Sequence, residues 1–164
     1  MTIQKTLVLV KPDGVQRTLV GKIITRFEDA GLKIIGMKMK WVDKKFAEAH
    51  YTDDISKRRG EHVRKVLLKY IQEGPVVAIV LEGINAIEIV RKIVGDTEPR
   101  QAPPGTIRGD FAHVSYAHAD EKEDAIRNLI HASGNEQDAK AEVKLWFTDK
   151  ELHTYSTVHD MHII

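Results

Sequence analysis

Residues 6–14 have the sequence TLVLVKPDG, and this stretch decides the fold. Its first five residues are β-branched or apolar and are followed by Lys11, Pro12, Asp13 and Gly14, so it predicts a buried strand that ends in a tight turn. A doubly wound parallel sheet would carry a glycine-rich turn at this place. Neither GxGxxG nor GxxxxGK[ST] occurs in the sequence, which favours a different sheet arrangement.

Apolar spacing along the rest of the chain predicts alternating strands and helices. Helix spacing occurs in residues 20–27, 63–71, 84–94 and 139–147, with Asn135 as the predicted N-cap of the last helix. Asp43 is the predicted N-cap of a short helix that runs to about His50. Residues 35–41 alternate as in a half-exposed strand, and residues 75–81 (PVVAIVL) are apolar throughout, as in a buried strand.

Several segments are less regular. Residues 53–64 are polar and basic, with Lys57, Arg58 and Arg59 at their centre, and predict a loop or an exposed helix start. Residues 96–107 include three of the five prolines and predict a long irregular loop. Residues 113–117 predict a possible short strand, and residues 119–124 a charged, solvated stretch. Residues 123–130 have helix spacing.

This order of elements predicts an α+β, ferredoxin-like βαββαβ fold. The expected sheet is antiparallel and four-stranded, with helices on one face and an additional helical insertion between its two middle strands. A doubly wound parallel sheet is the alternative. No repeat or linker divides the chain, so residues 1–164 are expected to form a single domain.

Composition excludes several classes of protein. The chain has 164 residues, 42% hydrophobic and 30% charged, which is too apolar for a disordered protein. Its formal net charge of +1 gives no strong field for nucleic acid or an anionic membrane. The absence of cysteine excludes disulfides, thiolate metal sites and a Cys nucleophile. No membrane span or signal peptide is recognisable, so a cytoplasmic location is expected. His159 and His162 lack a supporting carboxylate cluster and are predicted to lie in a mobile tail.

A few residues have side chains suited to phosphate chemistry. Lys11, Arg91 and Arg108 lie at the ends of elements or in a loop, and such cations bind phosphate oxygens. His131 is a candidate nucleophile, for which the carboxylate of Glu142 could orient the ring. Taken singly, an arginine is more often a solvated surface residue, and a histidine after Leu-Ile is more often packed or on the surface.

Taken together, the segments of this chain resemble those of a known family. The segments are, in chain order, Lys11-Pro12-Asp13-Gly14, Leu19-Val20-Gly21-Lys22, His50-Tyr51, Gly74-Pro75-Val76-Val77, Leu81-Glu82-Gly83, Gly95-Asp96-Thr97, Pro104-Gly105-Thr106-Ile107-Arg108-Gly109-Asp110-Phe111, Asn128-Leu129-Ile130-His131 and Leu145-Trp146-Phe147. In order and rough spacing they resemble the nucleoside diphosphate kinase family over nearly the whole chain.

The resemblance implies a role for each matching position. His131 is implied to be the histidine that is phosphorylated, with Ser133, Glu142 and Tyr51 supporting it. The resemblance also places the histidine segment on a strand of the sheet, so a strand is expected from Asn128 onward and a helix only before it. Lys11, Arg91, Thr97, Arg108 and Asn128 are implied to hold the phosphates and sugar of the nucleotide, and Val63 and Leu67 to contact the nucleotide on the helical insertion.

The activity implied is a ping-pong transfer of the γ-phosphoryl group of an NTP to an NDP through phosphohistidine. The resemblance further implies Mg²⁺ bridged by nucleotide phosphates, with no metal ligand from the protein, and a homo-oligomer, usually a hexamer. Nucleic acid and membrane are not expected as partners. A nucleotide- or nucleic-acid-binding module without catalysis and a phosphohistidine hydrolase are the alternatives.

The sequence departs from the family pattern in three places. Val63 stands where the family has an aromatic residue that stacks on the base, in a region that is longer and more basic than usual. The segment between Arg108 and His131 contains roughly ten additional residues, as expected of a surface insertion. The residues after His131 are Ala-Ser-Gly-Asn, where the family has Gly-Ser-Asp, so that Asn135 is expected to cap the last helix.

Overall fold

The structure, a computed structural model, describes residues 3–163. Its strands are β1 (Ile3–Val10), β2 (Lys33–Lys40), β3 (Val76–Ile84) and β4 (Ile130–Ala132). They form a four-stranded sheet in the order β2-β3-β1-β4, and all neighbours are antiparallel. The predicted ferredoxin-like α+β fold is confirmed, and the parallel alternative is wrong. Met1, Thr2 and Ile164, which the single-domain prediction includes, lie outside the described residues.

Helices connect and cover these strands. They are α1 (Pro12–Gln16), α2 (Val20–Asp29), α3 (Lys44–His50), α4 (Asp53–Arg59), α5 (Glu61–Ile71), α6 (Ala86–Val94), α7 (Ile107–Phe111), α8 (Tyr116–Glu121), α9 (Glu136–Trp146) and α10 (Asp160–Ile163). Short 3₁₀ turns occupy Pro99–Gln101 and Asp149–Glu151. The predicted caps of α3 and α9 are confirmed, because the side chains of Asp43 and Asn135 accept hydrogen bonds from backbone N–H groups in the first turns.

Both faces of the sheet are buried, which explains why the central strands are apolar throughout. Val8 and Val10 of β1 face one hydrophobic cluster, which includes residues of α2 and α6. Leu7 and Leu9 face a second cluster on the opposite side, built with α3, α5 and α9. The two crossover helices therefore lie on one face, and the helical insertion and the last long helix cover the other.

The helical insertion is more regular than the sequence indicates. Residues 53–64 form α4 and the start of α5, and α4 has no buried residue and hence no periodic apolar signal. The predicted strand at residues 113–117 is wrong, because the chain enters α8 at Tyr116. Residues 119–124 are only partly solvated, because Ala119 is buried.

The segment before β4 is not helical, in contrast to the spacing of residues 123–130. Leu129 has φ of +71°, a conformation that costs a non-glycine residue of order 1–3 kcal/mol and ends any helix. Its backbone N–H donates to Asp13 Oδ2 (3.1 Å), and its carbonyl accepts from the backbone N–H of Lys11 (2.8 Å). These bonds fix the turn between Asn128 and His131.

The end of the chain contacts the sheet instead of forming the predicted mobile tail. Asp160 of α10 pairs with Lys33 of β2, with an N–O distance of 2.9 Å. The hydroxyl of Tyr155 donates to the carbonyl of Ile34. Within residues 3–163, no helix has the length and apolarity needed to cross a membrane.

Candidate active site

One open cavity of about 1320 Å³ lies where β1 and β4 end and the helical insertion begins. Its border includes Lys11, Tyr51, Val63, Leu67, Arg91, Thr97, Arg108, Asn128, His131 and Glu142. Of the predicted site residues, only Ser133 does not border the cavity; it is fully buried and contacts Glu142. The fold thus brings together residues from distant parts of the sequence.

The His131 ring is oriented by Glu142. Its Nε2 lies 3.0 Å from both carboxylate oxygens, and Ser133 Oγ donates to Glu142 Oε2 at 2.6 Å. Ser133 Oγ in turn accepts from the backbone N–H of Leu7 at 3.2 Å, which ties the carboxylate to β1. Burial alone would raise the pKa of Glu142, but the charge and hydrogen bond of His131 lower it. An ionised Glu142 fixes the proton of the imidazole on Nε2 and leaves the lone pair on Nδ1.

A second histidine packs against the first, and sequence reasoning did not select it. The rings of His50 and His131 meet edge to face, with centroids 4.8 Å apart. The indole N–H of Trp146 donates to His50 Nδ1 at 3.2 Å. Burial, followed by the nearby His131, lowers the pKa of His50 to about 3, so this ring is neutral at physiological pH.

Tyr51 follows His50 at the end of α3 and is buried near the carboxylate of Glu142. Burial and then the charge of Glu142 raise the pKa of Tyr51, so that it keeps its hydroxyl proton at neutral pH. Its carbonyl accepts from Arg64 Nε at 2.8 Å, which links the end of α3 to α5. The protonated phenol can donate a hydrogen bond at the edge of the cavity.

Lys11 is a buried cation whose amine is held by Asn128. Its Nζ donates to Asn128 Oδ1 at 2.8 Å, and the Asn128 amide donates to the carbonyl of Thr97 at 2.8 Å. The side chain of Lys11 lies over the ring of Tyr70, with 5.0 Å from Nζ to the centroid. Burial, and then the charge of Arg108, lower the pKa of Lys11 to about 7. The bottom of the cavity therefore favours an anion that would restore the charge of this amine.

Arg108 is held in position by backbone carbonyls. Its guanidinium donates to Asn128 O (3.2 Å), Gly95 O (2.9 Å) and Ile130 O (2.6 Å). Burial is the main cause that lowers its pKa to about 10, so it remains charged at pH 7. Three hydrogen bonds from one side chain fix the direction of its remaining N–H donors.

The remaining predicted residues form the walls of the cavity. Arg91 lies in the last turn of α6, close to the loop that contains Thr97. Val63 and Leu67 border the cavity from α5 and give that wall an aliphatic surface. The cavity therefore has a basic end lined by Lys11, Arg91 and Arg108, and an apolar wall on the helical insertion.

Asp13 and Tyr70 support the site from below, and their contact could not be predicted from the sequence. The hydroxyl of Tyr70 donates to Asp13 Oδ1 at 2.6 Å, while Asp13 Oδ2 accepts from the backbone of Leu129. The two residues are far apart in the sequence, so no spacing rule connects them. The motif that contains Asp13 indicated only a turn.

A comparison with protein families agrees with this geometry. The model of the family described as nucleoside diphosphate kinase matches residues 4–152. The chain belongs to the nucleoside diphosphate kinase family. A nucleoside diphosphate kinase of Borreliella burgdorferi is 50% identical over 156 residues, which cover 94% of this chain and 93% of that protein. That of Pyrococcus abyssi is 48% identical and covers 96% of this chain and 92% of its own length.

Solved structures of nucleoside diphosphate kinases have the same fold. A transition-state mimic of the Borrelia burgdorferi enzyme with bound vanadate and ADP superposes with a TM-score of 0.96 at 48% identity, covering 98% of this chain and 96% of that one. A halophilic nucleoside diphosphate kinase from Halobacterium salinarum in complex with CDP has a TM-score of 0.84 at 36% identity, with 99% of both chains covered.

Phosphoryl transfer in the nucleoside diphosphate kinase family uses a divalent metal ion. Among residues 3–162, the group of side chains that could jointly ligate a metal is His50, His131 and Glu142. Two imidazoles and a single carboxylate do not provide the oxygen ligands that Mg²⁺ prefers.

Proposed function

We propose that the chain is a nucleoside diphosphate kinase that transfers the γ-phosphoryl group of an NTP to an NDP through a phosphohistidine on His131. In the first half-reaction, the lone pair on Nδ1 attacks the γ-phosphorus, an N–P bond forms, and the bond to the β-phosphate oxygen breaks. The first NDP then leaves. In the second half-reaction, a terminal oxygen of another NDP attacks the same phosphorus and the N–P bond breaks. This order predicts ping-pong kinetics.

The observation that carries the proposal is the hydrogen bond from His131 Nε2 to Glu142. Because Glu142 holds the proton on Nε2, no base is needed to expose the lone pair on Nδ1. When Nδ1 bonds to phosphorus, the ring becomes cationic, and the carboxylate stabilises that charge. Ser133 fixes Glu142 and thus supports the orientation of the ring.

The cations around the cavity are proposed to position the phosphates and neutralise their charge. Phosphoryl transfer depends mainly on positioning and electrostatic stabilisation. We assign this role to Lys11, Arg91 and Arg108, with Asn128 and Thr97 contacting the nucleotide beside them. Lys11 and Arg108 are pre-positioned by Asn128 and by backbone carbonyls, so little rearrangement is needed on binding.

Mg²⁺ is proposed to enter with the nucleotide as part of the substrate. Bound to phosphate oxygens, it supplies additional neutralisation of charge on the transferring group. Val63 and Leu67 are proposed to contact the nucleotide from α5. Their aliphatic side chains provide no hydrogen bonds to base edges, which is consistent with the use of several nucleosides.

We further propose that the protein forms a homo-oligomer, with the hexamer as the expected state. Each chain is proposed to be a single domain, and the protein is proposed to work in the cytoplasm, where nucleotides are available. Support for association comes from β2, an edge strand of the sheet. Its side chains Met37 and Met39, together with Trp41 just beyond, are each more than half exposed (56%, 62% and 67%). Exposed apolar residues along an edge strand are typical of a surface that another chain covers.

The test is incubation with γ-³²P-ATP and Mg²⁺ in the absence of an acceptor. A kinase should retain an acid-labile label of about one per chain, and any added NDP should remove it as labelled NTP. His131→Ala should abolish the label, while the exposed His118→Ala should retain it. A chain without label would be a binding module, and steady release of inorganic phosphate would indicate a hydrolase; both results would refute the proposal.

A further inference from the structure

The basic run Lys57-Arg58-Arg59 on α4 has no part in the function proposed so far. Its three residues are not equivalent. Arg58 pairs with Asp54 one turn earlier, with an N–O distance of 2.7 Å. Arg59 borders the cavity, whereas Lys57 does not. Within residues 3–162, Arg59 has no carboxylate at salt-bridge distance.

Arg59 is held instead by an aromatic residue of the segment between Arg108 and His131. Its Nη2 lies 3.3 Å from the hydroxyl of Tyr116, and its guanidinium carbon lies 5.7 Å from the centroid of the same ring. Tyr116, at the start of α8, also borders the cavity. The pair therefore joins two segments, α4 and α8, both in regions where the sequence is longer than the family pattern.

Tyr116 is itself fixed in place. Its backbone N–H donates to Glu98 Oε1 at 3.0 Å, and the carbonyl of the nearby Val114 accepts from the backbone of Arg100 at 3.1 Å. The next turn of α8 is anchored by the buried Ala119. The hydroxyl of Tyr116 is thus a pre-positioned acceptor that directs the otherwise exposed side chain of Arg59 toward the cavity.

Arg59 borders the same cavity as Lys11 and Arg108. The pKa of Lys11 is lowered mainly by burial and by the charge of Arg108, and the charge of Arg59 lowers it further. Arg59 borders the cavity and, in the part of the chain that the structure describes, has no acidic partner, so its guanidinium is suited to a phosphate group.

We propose that Arg59 is a further phosphate-binding residue of this kinase and that Tyr116 is the positioning residue that holds it at the cavity. The inference rests on the proposed function, since the ligand is the di- or triphosphate of a bound nucleotide. On binding, the guanidinium exchanges its weak contact with the phenol for charge-assisted hydrogen bonds to phosphate oxygens. The contribution does not depend on the base, because phosphates are common to all nucleotides.

The experiment compares the wild type with Arg59→Ala and Arg59→Lys, and with Lys57→Ala as a control that removes the same charge outside the cavity. Arg59→Ala should raise the KM for ADP, GDP and CDP by about tenfold each, the size of one charge-assisted hydrogen bond. Arg59→Lys should recover part of this loss, and Lys57→Ala should remain within about twofold of wild type. The dependence of ADP affinity on salt should be weaker in Arg59→Ala.

Tyr116 is tested by a double-mutant cycle. Tyr116→Phe should raise the KM for ADP about threefold in the wild-type background and have no effect in Arg59→Ala, because its hydroxyl acts only through Arg59. The inference would be overturned by an unchanged KM in Arg59→Ala or by an equally large rise of KM in Lys57→Ala. A rise of KM that differs between purine and pyrimidine nucleotides would also overturn it, as would additive effects of Arg59→Ala and Tyr116→Phe. Failure of the kinase proposal is separate, because it would appear as absence of the His131 label in the wild type.

Discussion

The buried Lys11 amine makes the stability of this protein depend on pH in a definite direction. Its pKa falls from 10.5 in the unfolded chain to about 7 in the folded one. Between these values the unfolded chain binds more protons, so the Lys11 contribution to the free energy of unfolding increases as pH rises. Below pH 7 the folded protein carries the full cost of a buried charge, and above pH 7 this cost is progressively relieved.

The magnitude follows from the two pKa values. From pH 6 to pH 8.5, proton linkage at a single site with these pKa values raises the free energy of unfolding by about 2 kcal/mol. The substitution Lys11→Met removes the charge but keeps a flexible apolar chain over the ring of Tyr70. Other titrating groups are common to both proteins, so the difference between wild type and Lys11→Met isolates the lysine.

The assay is urea unfolding of both proteins at pH 6 and pH 8.5, at one protein concentration and ionic strength. The stability of the wild type relative to Lys11→Met should increase by about 2 kcal/mol between the two pH values. The affinity of the wild type for ADP should decrease over the same range, because the phosphates bind the protonated amine. A stability difference that is constant with pH, or one that decreases, would refute the burial of a charged Lys11 as described.

Three further substitutions test other parts of the site. Glu142→Ala removes the carboxylate that orients His131 and should lower kcat roughly 100-fold with little change in the KM for ADP, as measured by a coupled assay; an unchanged kcat would contradict its role. Tyr70→Phe removes a hydrogen-bond donor from the buried carboxylate of Asp13 and should lower the free energy of unfolding by about 1–3 kcal/mol. The exposed control Tyr155→Phe should lower it less, and an equal decrease in both variants would contradict the role of Tyr70. Val63→Phe adds a ring to the aliphatic wall and should lower the KM for ADP at least about fivefold, since stacking on a base is worth about 1–3 kcal/mol; a higher KM would indicate that the ring blocks the cavity.

The strands and the long helices could be predicted because each has a buried face, and a buried face requires apolar residues at regular spacing in the sequence. The apolar runs of β1 and β3 and the spacing of α2 and α6 are of this kind. Helix α4 could not be predicted firmly, because it buries no residue. Helix α8 buries only Ala119, so the apolar residues among 113–124 do not follow helix spacing and the helix could not be predicted.

Residue chemistry suggested Lys11, Arg91, Arg108 and the pair His131 and Glu142 as candidates, and the family pattern supplied the other site positions. The contact of His131 with Glu142 joins a strand to a helix, and no period of either element relates the two residues. His50 and Asp13 were missed as partners because Trp146 and Tyr70, which hydrogen-bond to them, are distant in the chain. Such contacts depend on tertiary packing and have no local signal.

The most direct test of the account is to identify the atom that accepts the phosphoryl group. Protein labelled with ¹⁵N-histidine is incubated with ATP and Mg²⁺ without an acceptor, and the phosphorylated nitrogen is assigned by NMR. We expect one phosphohistidine per chain, on Nδ1 of His131, with Nε2 still hydrogen-bonded to Glu142. Phosphate on Nε2, on another residue, or on none would contradict the account.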